Sequence, residues 1–192
     1  GYWKKPEATA EVMTDDGGFR TGDLGRIDDG FIKITGRVKE QFKLENGKYV
    51  APSPLEESLK ISDLVEQCCV DGTNKIKTFT ILHPNERALR DGLSGAGIDS
   101  SASFGELCSN PEVRTWVLSS LKDEIMAPKW KGFEISGGVI LDPDEWTTEN
   151  EMITPKLSVK RNALFAKHQT EIDKLRYQSG FMVPKVVKLS VQ

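Results

Sequence analysis

The chain has 192 residues, with 26 Lys and Arg against 29 Asp and Glu and a formal net charge of −3. That length suffices for one good core, or for one domain and the edge of another. The near-balance of charge lacks the basic surplus of a nucleic-acid binder, and no stretch approaches the roughly 20 apolar residues of a membrane span.

The opening GYWKKPEATAEV reads as the middle of a folded domain, with no signal peptide, and Pro6 to Met13 as a short helix. The Asp15 to Gly18 turn leads to FRTGD, ending at Asp23. Gly25 to Ile34 then alternates around Asp28-Asp29-Gly30, an Asp-Gly signal for a hairpin. A second hairpin is expected from GRVKEQFKL to KYVA, turned by Glu45-Asn46-Gly47, with Asn-Gly supplying the positive φ angles. Ser53-Pro54-Leu55-Glu56 predicts a helix start, with Ser53 as cap and Glu56 completing a capping box. That helix runs to about Lys60.

Leu64 to Val70 and Ile76 to His83 follow as two strands around DGTNK. Asn85 caps a helix to about Arg90, and Gly92 to Ser103 reads as a small-residue surface loop. Its Gly-x-Gly is no phosphate loop, because no GK[ST] follows. Ser103 to Cys108 is a helical turn. Asn110-Pro111-Glu112 opens a helix with Val113, Trp116, Val117, Leu121 and Ile125 on one face. Phe133 to Leu141 is expected as a strand with a bulge or close approach at Gly137-Gly138. Arg161 to Tyr177 is the last amphipathic helix, and the segment from Ser179 an extended or mobile end. This order predicts an α+β fold, a small β-sheet flanked by helices, preceded by β-hairpins.

Cys68, Cys69 and Cys108 are an odd and poorly spaced set, and adjacent Cys68 and Cys69 would face opposite sides of a strand, so they form neither a zinc pair nor an easy disulfide. The pattern suits a reducing, intracellular compartment. His83 and His168 lack acid or thiol partners at ligand spacing, so no metal site is expected.

The residues that carry chemistry begin with Asp23. An ionised carboxylate after a Thr-Gly turn can accept both hydroxyls of a ribose; otherwise it caps its own turn. Arg37 offers a permanently charged planar fork for a ribose or phosphate, or pairs with a surface acid. Lys39 and Lys43 follow, four residues apart and expected on one strand face.

FRTGD, GRVKEQFKLENGKYV and ITPKLSVKRNAL together resemble the adenylate-forming superfamily of acyl-CoA synthetases and luciferases. KEQFKLENGKYVAP, FGELCSNPEV, KGFE and TENEMITPK are similar to its long-chain fatty acyl-CoA synthetase branch. The resemblance covers nearly the whole chain but only the last quarter or third of such an enzyme. It implies that residues 1–37 end the large N-terminal adenylation domain, 38–178 form the C-terminal lid domain, and 179–192 are a tail. The implied parent reaction joins ATP, a long-chain fatty acid and CoA through an acyl-adenylate, releasing AMP and pyrophosphate, with Mg2+ accompanying ATP.

The resemblance also assigns roles. Asp23 binds the ribose, Arg37 lies beside the nucleotide, Lys39 is the hinge, and Lys43 lies near the thioester-forming site. Lys160, with Lys156 as the other candidate, is the adenylation lysine that neutralises charge between carboxylate and α-phosphate. The phosphate loop, adenine pocket and acyl tunnel belong to the missing N-terminal domain, so the chain alone is expected to be inactive. The parent would be cytoplasmic or peripheral on an organelle membrane. The rival readings are the lid of an aryl-CoA ligase or of a nonribosomal peptide synthetase, and a non-catalytic interaction module.

Overall fold

A computed structural model describes residues 1–178; the expected tail, 179–192, lies outside the described residues. The chain gathers into two compact units, Gly1–Glu145 and a second beginning at Trp146.

In the first unit, helix α1 (Pro6–Val12) precedes the hairpin of β1 (Asp23–Asp28) and β2 (Phe31–Arg37). Its turn is the expected one. Asp29 and Gly30 both take positive φ, 50° and 82°, the pair of angles that matches a two-residue turn to the strand twist. The hairpin leaves Ile27, Phe31, Ile32 and Ile34 exposed.

Gly36 and Arg37 stay in β2, and Val38–Glu40 is a 3-10 turn. The second hairpin is therefore shorter than expected, β3 (Phe42–Lys43) against β4 (Tyr49–Val50). Lys39 and Lys43 do not share a strand face. At the Asn-Gly turn only Gly47 has positive φ, 83°, while Asn46 Oδ1 accepts from the Lys48 N–H.

Helix α2 (Pro52–Leu59) starts earlier than expected, with Ala51 as cap and Pro52 in the first turn. The Ser53 hydroxyl is thereby freed and donates to Glu40 Oε2 at 3.1 Å. Glu56 Oε1 accepts from the Val70 N–H at 2.8 Å, so there is no capping box here. One forms instead at α4 (Phe104–Ser109), between Ser103 and Glu106.

The main sheet runs β5 (Val65–Asp71), β6 (Phe79–Pro84), β7 (Val139–Leu141), antiparallel then parallel. Cys69, Val70, Ile81 and Leu82 are all fully buried, as in a sheet covered on both faces. The strand expected from Phe133 shrinks to β7, because the N–H of Gly137 and the carbonyl of Gly138 bond to Thr78 and Thr80 as a lead-in.

Helix α3 (Glu86–Gly95) is capped by Asn85 as expected but runs on through Gly92, into the segment read as loop. Helix α5 (Pro111–Leu121) is capped by Asn110 and buries Val113, Val117 and Leu121, the expected stripe. It continues as a π-helical segment, Lys122–Met126, and a short helix α6 (Ala127–Lys129). Leu55 and Leu59 of α2, Leu89 and Leu93 of α3, and the α5 stripe form one core with the sheet. Each fully buried leucine contributes about 1.5–3 kcal/mol.

In the second unit, Ile153 and Val159 bridge a tight turn. The single helix expected from Arg161 is two, α7 (Arg161–Lys167) and α8 (Gln169–Gln178). His168 breaks them with φ −105° and ψ 15°. Its ring is buried, with Nδ1 2.8 Å from Glu171 Oε2. The mixture of helices and small sheets bears out the α+β class.

Candidate functional site

The β1–β2 register builds the site. Asp23 faces Arg37 and Leu24 faces Gly36, but Gly25 faces Ile34, so Thr35 is the extra residue of a bulge. A bulge re-aims the residues beside it. Gly36 takes φ 146°, and a Cβ there would lie 3.4 Å from the Ala51 side chain. Gly22 (φ 77°) turns the chain on the other arm, and its carbonyl accepts from the Val38 N–H at 2.9 Å.

Beside this bulge Arg37 Nε meets Asp23 Oδ1 at 3.1 Å, with the arginine mostly exposed and the aspartate about a quarter exposed. Oδ2 of Asp23 takes no hydrogen bond among the described residues. Both side chains line a cavity of about 510 Å³, with Glu40, Ser53 and Glu57 around it. Glu57 also accepts from Lys60 Nζ at 2.7 Å, a bond that holds the Lys60 ammonium above its ordinary value.

Three carboxylates and one guanidinium make a wall rich in acceptors. Such a wall suits the hydroxyls of a sugar, which donate, and repels free phosphate oxygens unless a cation intervenes. Glu40, Ser53 and Glu57 were not legible as site residues. The available signal was Pro52, whose place in the first turn moves the cap to Ala51 and releases Ser53.

Lys39 is exposed in the 3-10 turn, between Val38 and Glu40. Lys43 is exposed on β3, its Nζ 5.6 Å from the Tyr49 ring centroid. The structure thus brings Asp23 and Arg37 together and sets Lys39 next to them in the chain.

Lys156 and Lys160 belong to the second unit. Thr154 N–H donates to Ser158 O, and the Leu157 N–H to Thr154 O, folding Thr154 to Ser158 into a tight turn. Lys156 is exposed at its tip. Lys160 is half-buried at its base, where its N–H donates to Met152 O at 2.8 Å and it caps α7. No group of three or more His, Cys, Asp or Glu that could hold a metal occurs among the described residues. No helix among them is long and apolar enough to cross a membrane.

No protein-family model matches the chain. The A-PCP didomain of carboxylic acid reductase from Segniliparus rugosus, in complex with AMP, superposes with a TM-score of 0.73 and 26% identity. It covers 93% of this chain and 23% of its own. Structural neighbours of this chain are adenylation domains, and its fold is that of part of an adenylate-forming enzyme.

Its homologues are long-chain acyl-CoA synthetases. Long-chain-fatty-acid–CoA ligase 5 of Mus musculus is 36% identical over 182 residues, 93% of this chain and 26% of the relative. Long-chain-fatty-acid–CoA ligase 1 of Schizosaccharomyces pombe is 34% identical over 177 residues, 90% and 26% respectively. The chain spans about a quarter of the length of the curated relatives it matches. The resemblance read from the motifs is borne out.

Proposed function

We propose that this chain is the C-terminal part of a long-chain fatty acid–CoA ligase, whose other residues hold the adenine, the acyl chain and the phosphate loop. Residues 1–37 would end the large domain, and 38–178 would form the lid. The observation that carries the reading is the Asp23–Arg37 pair, facing an acceptor-lined cavity immediately before the turn at Lys39. The homology to fatty acid–CoA ligases over nine-tenths of the chain supports it.

Each residue then has a physical task. Asp23 accepts from the ribose hydroxyls through its free oxygen. Arg37 fixes the aspartate rotamer and presents N–H groups to the same nucleotide. Lys39 is solvated in a short turn at the end of a strand, the kind of position that absorbs the φ/ψ change of a domain swing. Lys160 neutralises the charge that develops as a fatty acid carboxylate attacks the α-phosphorus of ATP and pyrophosphate leaves. Its half-buried place at the foot of the turn holds it more firmly than Lys156 at the tip. After the swing, Lys43 lies near the thiol of CoA as it displaces AMP from the acyl-adenylate.

Mg2+ enters this reading with ATP, as part of the substrate. The exposed apolar side chains of β1 and β2 accord with a surface that larger-domain residues cover. The intact enzyme acts in the cytoplasm or at the face of an organelle membrane.

The test is a separation of half-reactions in the intact polypeptide. Lys160→Ala is expected to lower acid-dependent ATP–pyrophosphate exchange by about 100-fold or more, the scale of a lost charge-stabilising group. CoA transfer from supplied acyl-adenylate is expected to persist. Equal loss of both half-reactions removes Lys160 from this role.

A further inference from the structure

Leu157 stands at the tip of the turn in the second unit, 77% exposed. Its φ is 60°, in the left-handed region where a Cβ crowds the following carbonyl. The other non-glycine residues at positive φ, Lys4, Asp29, Asn74 and Glu151, are all polar. Leu157 is thus the one apolar side chain so placed among the described residues, and the proposed reaction scheme gives it no task.

The turn dictates the conformation. Ile153 and Val159 pair across its stem, with Ile153 buried. The Leu157 N–H donates to Thr154 O and the Thr154 N–H to Ser158 O, both at 2.8 Å. The Ser158 N–H adds a bond to Thr154 Oγ1 at 3.2 Å. These bonds close a three-residue loop, Pro155 to Leu157, whose last position is left-handed and ordinarily glycine. A leucine there carries the backbone strain and leaves its side chain in water. Strain of this kind gathers at ligand clamps, and burial within the described residues does not offset it.

Lys156 precedes Leu157, and Lys160 follows it by three residues. Neither ammonium makes an ion pair among the described residues. An exposed alkyl side chain between two unpaired cations suits a ligand that is anionic at one end and apolar beside it. A carboxylate can meet a lysine while the methylenes that follow it cover the leucine. A phosphate alone would satisfy the cations and leave the leucine wet.

We propose that Leu157 contacts the alkyl chain of the fatty acid substrate beside its carboxylate and so helps set the affinity for it. The amphiphilic chemistry rests on the turn; the choice of a fatty acid rests on the proposed ligase function. An apolar contact kept from bound substrate to transition state lowers KM and leaves kcat alone, unlike the charge stabilisation assigned to Lys160.

Steady-state acyl-CoA formation by the intact polypeptide, with the fatty acid varied, tests the contact. Leu157→Gly and Leu157→Asn both suit a left-handed position and both remove the apolar side chain. Each is expected to raise KM for the fatty acid by about three- to tenfold, the scale of a partly buried apolar side chain. The kcat and the KM for ATP are expected to stay within about twofold of the parent. Leu157→Met, which keeps the apolar surface, is expected to restore the fatty acid KM. Thermal unfolding of this 192-residue chain provides the second readout. Leu157→Gly is expected to unfold at a temperature no lower than the parent's, because glycine relieves the strain.

A lower unfolding temperature for the glycine variant would place the leucine in packing within the chain and overturn the proposal. An unchanged fatty acid KM in the glycine and asparagine variants, or a fall in kcat alone, would also overturn it. Either kinetic result with the Lys160→Ala half-reaction split still observed would leave the ligase reading standing and remove Leu157 alone. Absence of acid-dependent activity in the parent polypeptide would remove both.

Discussion

Asp23 and Arg37 face each other because Thr35 bulges out of the ladder two residues before Arg37, shifting the register by one, and Gly36 can adopt φ 146°. The arginine of the pair is mostly exposed, so the pair's own contribution to stability is about 0–1 kcal/mol, and its value lies in orienting an acceptor. In the intact polypeptide Asp23→Asn is expected to lower kcat/KM for ATP by about 10- to 100-fold, from the lost charged acceptor. Steady-state kinetics at varied ATP would show it, and an unchanged value contradicts the ribose role. Cys108 belongs to the interior instead. Burial pushes its thiol from 9.0 up to about 12. The folded state then keeps a proton that the unfolded state releases above about pH 9, so stability is full below that pH and falls as pH rises toward 12. Urea unfolding across pH 8 to 11 should give this slope, and Cys108→Ala should flatten it.

At the scale of elements, Gly92 shows why part of the fold was hidden. The small-residue composition of Gly92 to Ser103 signalled a loop, yet α3 continues through Gly92, where a Cβ would run into the Trp116 ring. The glycine is required by a partner distant in sequence, which no local pattern displays. Gly92→Ala is expected to destabilise by about 1–3 kcal/mol, as overpacking does, and Trp116→Leu should relieve part of that cost in a double-mutant cycle. Additive effects would show that the contact is not the cause. The legible elements were those whose signal is local. The Asp29-Gly30 turn, the Asn85 and Asn110 caps and the α5 stripe each follow from a few adjacent residues. The failures share the opposite cause: Ser53 serves Glu40, Glu56 serves Val70, and the break at His168 accompanies a buried ring held by Glu171.

At the scale of the whole molecule, the hairpin exposes Ile27, Phe31, Ile32 and Ile34 at 66–76%. Exposed apolar side chains gathered on one hairpin mark an interaction surface or an association liability. This chain by itself is therefore expected to self-associate as its concentration rises, and Ile32→Asp with Phe31→Ser to reduce that association. Sedimentation at two concentrations distinguishes the cases, and identical behaviour of parent and variant contradicts the assignment. The site motifs were legible because they sit in short runs around turns, whereas Ser53 and Glu57 of the cavity wall are brought there by α2. The central claim is that this chain works as the closing part of an acid-activating, CoA-ligating enzyme. Its most direct measurement compares acyl-CoA formation from ATP, a long-chain fatty acid and CoA by this chain alone and by the polypeptide extended to the length of its relatives. The account predicts no turnover by the chain, and acyl-CoA with stoichiometric AMP from the extended polypeptide; turnover by the chain alone, or no acid-dependent AMP release by the extended one, would contradict it.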